Sequence, residues 1–370
     1  MKSRNSSIFS AAAILLILSS SAFAYRPVID LGTLGGEQSY AYAINDNGQV
    51  VGYAYNSSGN WHPALFDATG NNTNKDIGGS NGKAESINND GQIVGWAYDA
   101  SNNWRAFLFD PTGNGNNTDL GTLGGSRSYA NGINNYGQIV GSATYISSST
   151  NQHACLFDPT GKGSNLDLGT LGGTGSGASS INNLGQIAGG ANNSSGYTHA
   201  CLFDSTGGWA NIDLGTLGGI RSNANAINDY GLIVGDAYDS SSYTRACLFD
   251  ATGAGANIDL GTLGGSLSRS YSINNFGQIV GWAYNSSENM RACLFDPTGN
   301  GNDVDLNTLI NPSSGWTLIS AENINNNGWI VGYGVNPDGY EHAFLLTPEP
   351  ATLLFFILGV PMLSGLRRKR

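Results

Sequence analysis

The chain is predicted to be all-β, a seven-bladed β-propeller with four strands in each blade. Three observations predict it. One pattern recurs seven times at a spacing of about 46 residues. Each copy holds four short apolar segments separated by turn residues. One fourth-strand segment stands ahead of the first copy, and the last copy lacks one.

The clearest phrase is Asp-Leu-Gly-Thr-Leu-Gly-Gly, starting at Asp30, Asp119, Asp167, Asp213 and Asp259, with worn copies at Asp76 and Asp305. A fixed period of this size marks a supersecondary unit that buries its apolar faces only against its neighbours. An open β-solenoid is the structural alternative, but it needs no matching of first strand to last.

In chain order, the segment at residues 28–34 is expected to be a fourth strand that closes the last blade, which covers an edge otherwise open to other chains. The first strand of each unit ends at Ile44, Ile87, Ile133, Ile181, Ile227, Ile273 and Ile324. Small residues stand three and one positions before each Ile, as in Ala41 and Ala43. Positions two apart share a strand face, so a small-residue face is expected beside the propeller axis. An Asn-x-x-Gly turn follows, read as a hairpin whose Asn and Gly tolerate positive φ. The second strand is Gly-Gln-Ile-Val-Gly, as at residues 91–95. The third is the Ala-Cys-Leu-Phe-Asp type, followed by Asp-Pro-Thr-Gly or Asp-Ala-Thr-Gly turns. The fourth is the Asp-Leu-Gly-Thr-Leu phrase. No stretch of 25–346 has helical periodicity with caps. Unit seven carries an insertion at 311–316, the expected location of any site unique to one blade.

Residues 1–24 have the order of a secretory signal peptide: Lys2 and Arg4, an apolar run, then a small-residue cleavage site ending Ala22-Phe23-Ala24. At the other end Pro348-Glu349-Pro350 precedes an apolar run over 351–366 and the basic Arg367-Arg368-Lys369-Arg370. Sixteen apolar residues are slightly short for a stable membrane span, and the basic cluster would stay cytoplasmic. A plain tail anchor is the bland reading. The three-part order of 347–370 closely resembles the PEP-CTERM sorting signal of Gram-negative bacteria. That resemblance implies transient membrane insertion through 351–366, cutting near the Pro-Glu-Pro motif by a membrane-embedded exosortase, and delivery to the cell surface or matrix.

The repeats over roughly 28–346 resemble the HAF-family extracellular repeats. The likeness rests on His342-Ala343-Phe344 and its relatives His153-Ala154-Cys155 and Arg105-Ala106-Phe107, together with the Asp-Leu-Gly-Thr-Leu-Gly-Gly, Ile-Asn and Gly-Gln-Ile-Val-Gly phrases. It implies a secreted repeat protein and carries over no catalytic residue.

The formal net charge is −11; between the two tails it is about −16, with 10 basic against 26 acidic residues. Such a surface disfavours nucleic acid and anionic membranes as partners. Four cysteines in an exported chain suggest two disulfides. Here Cys155, Cys201, Cys247 and Cys293 lie 46 residues apart and fill one strand position, held elsewhere by Ala64, Phe107 and Phe344. They are expected to be free thiols in the core, too far apart to bridge.

No metal, phosphate-loop or hydrolase motif is present. The Asp-Pro-Thr-Gly turns faintly resemble calcium loops but lack alternating carboxylates, so calcium is the one cofactor considered and none is assigned. Before the third strand stand His62, Arg105, His153, His199, Arg245, Arg291 and His342, a cationic or titratable residue in every copy. Each is read either as paired with an acid or carbonyl of its own blade or as one member of a ligand-facing ring. Just upstream lie Trp61, Trp104, Tyr197, Tyr243 and Tyr340, among Asn and Ser. They are read either as packing over loop backbone or as stacking surfaces for sugars, whose hydroxyls the amides would bond. The expected function is a non-enzymatic binding or structural component of the cell surface or matrix, with polysaccharide as the partner considered. The alternative is a propeller hydrolase or lyase acting on matrix polysaccharide. An unpartnered cluster of carboxylates in the central channel would favour that alternative, and the repeats show no blade that breaks symmetry in this way.

Overall fold

The computed structural model describes residues 25–145 and 151–348, and these form seven four-stranded antiparallel sheets. Blade 1 consists of Gly35–Ile44, Val50–Asn56, Trp61–Phe66 and Lys75–Asp76, ordered from the axis outward. Blades 2 to 6 repeat this order, with inner strands Lys83–Ile87, Gly124–Ile133, Gly172–Ile181, Gly218–Ile227 and Gly264–Ile273. Blade 7 takes Thr317–Ile324, Ile330–Val335 and Glu341–Leu346 from the end of the repeat region and Val28–Asp30 from its start. Val28 pairs with Leu346 and Asp30 with Phe344, so the expected closure is present. The fourth strands are shorter than the sequence suggests. They stop at the Asp of the repeated phrase, and the following Leu-Gly-Thr-Leu crosses to the next blade, where the Gly-Gly opens the inner strand.

Both faces of each blade are buried, which explains the paired apolar residues of the second strand. Ile139 joins the core shared with the preceding blade, and Val140 joins the core shared with the next. The cysteines occupy the first kind of core, each in a different cluster and fully buried. All four are free, and burial raises each thiol well above its ordinary pKa.

The expected small-residue face of the inner strand is corrected by a bulge. Ala41 pairs with Gly52 and Ala43 with Val51, leaving Tyr42 as an extra residue. A one-residue bulge reverses the alternation beyond it. Ala41 therefore packs in the blade 7–blade 1 core, and Ala43 in the blade 1–blade 2 core. The inner strand runs so close to its partner here that a Cβ on Gly52 would sit 1.9 Å from the Tyr40 carbonyl oxygen. The last Gly of Gly-Gln-Ile-Val-Gly is required by that approach.

The Asn-x-x-Gly turns also do more than reverse the chain. Gly48 takes the left-handed φ, +80°, but Asn45 does not. The Asn45 side chain instead accepts from the backbone N–H groups of Asn47 and Gln49 and donates to the carbonyl of Asn88 in the next blade. Asn88, Asn134, Asn182, Asn228, Asn274 and Asn325 repeat the inter-blade bond, and Asn325 donates back to Asn45, a closed circle at 2.9–3.0 Å. A second circle lies one residue on. The N–H of Asp46 donates to the Asn89 side chain, and so round to Asn326, whose N–H donates to Asp46, all at 2.8–3.0 Å. The end of the channel that carries these circles is the lower face. The second-to-third-strand turns and the crossovers to the next blade make the upper face, where Leu34, at the end of a crossover, bridges Asn56.

Candidate functional site

The bulge that displaces Tyr42 recurs in every blade. Its extra residue is Glu85, Asn131, Ser179, Asn225, Tyr271 and Glu322 in blades 2 to 7. A bulge re-aims the side chain it inserts, and all seven line one hollow of about 430 Å³ in the channel. Here the repeats disagree. Blades 6, 7, 1 and 2 contribute Tyr271, Glu322, Tyr42 and Glu85. Blades 3, 4 and 5 contribute Asn131, Ser179 and Asn225.

The cross-strand pair just above the bulge repeats the division. In blade 1 it is Tyr40 and Tyr53, in blade 2 Lys83 and Trp96, in blade 6 Arg269 and Trp282. In blade 4 it is Gly177 and Gly190. The missing side chains leave a second hollow of about 450 Å³, lined by hydroxyl, amide and glycine groups that include Ser142, Gly177, Gly190, Asn192 and Asn223. The two hollows meet at Asn131 and Ser179.

Opposite this polar shelf stands a wall of rings. Tyr40 stacks on Tyr53 at 4.8 Å and meets Tyr333 edge-on at 5.0 Å. Trp61 meets Tyr53 at 5.5 Å and Trp96 at 5.7 Å, and Trp96 meets Trp104 at 4.7 Å and Tyr129 at 5.6 Å. Lys83 is set among them. Its Nζ donates to the Tyr42 hydroxyl at 3.0 Å and stands over the Tyr53 ring at 4.8 Å, a cation–π contact.

The two channel carboxyls are held in unlike ways. Glu85 accepts from the Trp96 indole N–H at 2.8 Å, and Glu322 from the Ser320 hydroxyl at 2.6 Å. Burial pushes Glu322 up to about 7, against the Ser320 hydrogen bond, and the charge of Glu85 adds to the rise. Burial raises Glu85 as well, against the pull of Lys83 and Trp96. At neutral pH the neck therefore holds carboxyls that resist ionising together, beside a Tyr42 hydroxyl that burial keeps neutral. Farther round, Asp236 pairs with Arg269 at 3.1 Å, and burial raises its pKa too. Two carboxyls thus line the channel, a break of symmetry that the repeats had not suggested, but each has a hydrogen-bond partner.

The residues singled out from the sequence fall elsewhere or divide. His62, Arg105, His153, His199 and His342 lie 2.8–3.1 Å from Asp76, Asp119, Asp167, Asp213 and Asp30, each the fourth-strand acid of its own blade. Arg245 pairs with Asp239 at 3.3 Å, and Arg291 donates to the Met290 carbonyl at 2.8 Å. These residues sit on the third strand, away from the channel, each with a partner in its own blade. The aromatics occupy two positions. Trp61 and Trp104 open third strands and join the ring wall. Tyr197, Tyr243 and Tyr340 lie one residue earlier in the turn and are 38–47% exposed. The blade 7 insertion folds into a short turn beside its blade. Asn311 caps a short 3-10 turn, Pro312–Ser314, and Ile310 and Trp316 pack on the blade 7 core.

The Asp-x-Thr-Gly turns spend their carboxylates on their own loops. Asp67 accepts from the Thr69 N–H at 2.9 Å and from the Thr69 and Thr73 hydroxyls at 2.6 Å. Those bonds, the Thr69 hydroxyl first, hold it well below the usual carboxylate range. Among the described residues no group of three or more His, Cys, Asp or Glu is placed to hold a metal ion. No helix among them is long and apolar enough to cross a membrane. Ala22, Ala24, Glu349, Pro350 and the 351–366 segment lie outside the described residues; Pro348 lies within them.

The fold and this mouth define a seven-bladed propeller with one uneven, ligand-sized opening. Residues 32–123, which span blades 1 and 2, match a family described as Protein of unknown function (DUF3466). No curated protein matches the chain.

Proposed function

We propose that the chain is an exported propeller that serves as a non-enzymatic binding component of the cell surface or matrix, holding polysaccharide in the upper mouth of its channel. The observation that carries this is the division of the mouth into an aromatic wall and a polar shelf. Sugar rings have an apolar face that stacks on aromatics and a periphery of hydroxyls that amides and hydroxyls bond. The shelf of Asn131, Ser142, Asn192 and Asn223 offers such partners within a hollow of about 450 Å³. Export, exosortase processing and surface delivery belong to the same proposal. They rest on the sequence order of residues 1–24 and 347–370.

A glycan array with purified protein tests the proposal, with a Gly177→Tyr variant beside it. Gly177 has ordinary φ, and a Cβ there meets only Ser142, at 3.7 Å. Tyrosine at this place would fill the shelf while leaving the wall untouched. Retention by the native chain that disappears in the variant, with an unchanged unfolding midpoint, is the expected result. No retention by the native chain sinks the proposal.

The channel carboxyls favour one second reading, a hydrolase or lyase acting on matrix polysaccharide. A carboxyl near neutrality beside another is an arrangement suited to general acid catalysis. Product release from acidic and neutral polysaccharides would separate the two. Turnover that is lost in both Glu85→Gln and Glu322→Gln selects the enzyme; binding without turnover selects the scaffold.

A further inference from the structure

The lower face carries a feature that neither channel mouth nor fold requires. The third residue of the Asn-x-x-Gly turn is polar in blades 1, 2 and 7, where it is Asn47, Asp90 and Asn327, and Asn47 and Asn327 donate to carbonyls of the next blade's turn. In the four consecutive blades 3 to 6 it is Tyr136, Leu184, Tyr230 and Phe276, which are 77, 71, 77 and 68% exposed. Leu232 extends the arc. It replaces a Gln found at this position in five other blades, and with it the hydrogen bond that Gln49 accepts from Asn45. Large apolar groups left in water are unfavourable, and contiguous ones mark a contact surface.

Two further observations say what that surface meets. The tips belong to copies of one turn, held in register by the same two hydrogen-bonded circles. They therefore stand at one height and present a flat array. The chain also leaves by this face. The third strand of blade 7 ends at Leu346 on the lower side, and Pro348 lies over the blade 7 turn, where a Cβ on Gly328 would be 3.6 Å from its Cγ. The apolar run 351–366 begins three residues later, a reach of at most about 10 Å even when extended. Whatever receives that run is held against the arc.

We propose that, until the C-terminal segment is cut away, the lower face lies on a zwitterionic lipid bilayer, with Tyr136, Leu184, Tyr230 and Phe276 in the headgroup region, while residues 351–366 enter the same bilayer. Tyrosine and phenylalanine suit that zone, where one side is apolar and the other wet. The Asn-x-x-Gly turns hold Asp46, Asp90 and Asp229 and no Lys or Arg, and the third-to-fourth-strand turns at the same end add Asp67, Asp110, Asp158, Asp204, Asp250 and Asp296 against Lys162, so anionic headgroups are disfavoured and the contact is apolar. The upper mouth then faces away from the membrane. The orientation stands independently of what the mouth binds.

Spin labels at Tyr230→Cys and, on the opposite face, Tyr243→Cys test this in the full chain reconstituted into phosphatidylcholine vesicles. The four native thiols are buried and stay unlabelled. Both new sites are exposed turn positions, so unfolding midpoints should not change. The expected result is a label at 230 that is several-fold less accessible than that at 243 to a water-soluble relaxation agent and several-fold more accessible to oxygen, in low and high salt alike. Equal accessibility at the two sites overturns the proposal. Shielding of 230 from both agents overturns it as well, since that would mean a second copy or the chain's own tail covers the arc.

Discussion

At the lower end of the channel the seven blades agree, and at the upper end they do not. Below, each blade offers an Asn that bonds its neighbour's carbonyl, and the circle closes on itself. Above, the bulge positions run Tyr42, Glu85, Asn131, Ser179, Asn225, Tyr271 and Glu322. Both ends are built from the same inner strands and differ by only a few residues along them. Agreement is what a closed ring demands, because one missing link interrupts the whole circle. Divergence is tolerated where side chains face solvent in the channel, and there it produces chemistry that a symmetric ring could not. The comparison places the scaffold in the Asn circles and the candidate site in the mouth.

Breaking the lower end should have the largest effect. Asn182 donates to the Asn228 carbonyl and the Gln186 side chain and accepts from the N–H groups of Leu184 and Gln186. Asn182→Ala leaves those buried groups unpaired, and urea denaturation should show a loss of about 3 kcal/mol. At the upper end the sign should reverse. Glu322 titrates at about 7 in the fold and near its ordinary value unfolded. Its folded pKa is raised, so its contribution favours the fold at acid pH and is lost as pH rises from about 4.5 to 7. Glu322→Gln should therefore stabilise the protein at pH 8 by about 3 kcal/mol and change little at pH 4.

A smaller effect of the same sign is expected at Asp303. Its counterparts Asn74, Asn165, Asn211 and Asn257 each donate to two carbonyls of the preceding blade's crossover. The buried Asp303 Oδ2 has no hydrogen-bond partner, and burial pushes the carboxyl up to about 6. Asp303→Asn should add about 1 kcal/mol at pH 8, after allowance for solvent screening, and nothing near pH 4. The smallest change is expected on the outer part of the blade. His199→Gln removes a partly exposed contact with Asp213 at 2.9 Å, and thermal unfolding should shift by less than about 1 kcal/mol. A large loss there would mean the His and Arg residues do more than join strands.

Sequence reasoning located the scaffold better than the site. The cysteines illustrate its success. Four thiols at one repeat position could only be neighbours' equivalents, and each is buried in a separate core. The aromatics illustrate its limit. Trp61 and Tyr197 look equivalent in an alignment one residue loose, yet one joins the ring wall and the other stands in a turn. Glu85 and Glu322 went unnoticed because they alternate with Asn, Ser and Tyr at a position that regular pairing would not aim at the axis. A scan of that position for residues that differ between copies would have found them.

The sequence by itself determined the period, the number of blades, the closing strand and the burial of the thiols. Those follow from local apolar segments and from counting, and each is a property of one unit repeated. Only the tertiary structure decided which residues face the channel and what the Asn turns do. A bulge exists only in the register between two strands, and it turns one residue in each inner strand toward the axis. The Asn circles join carbonyls and amides 43 to 51 residues apart, and 280 apart where Asn325 meets Asn45. No local pattern encodes those distances; they are set when seven sheets pack around one axis.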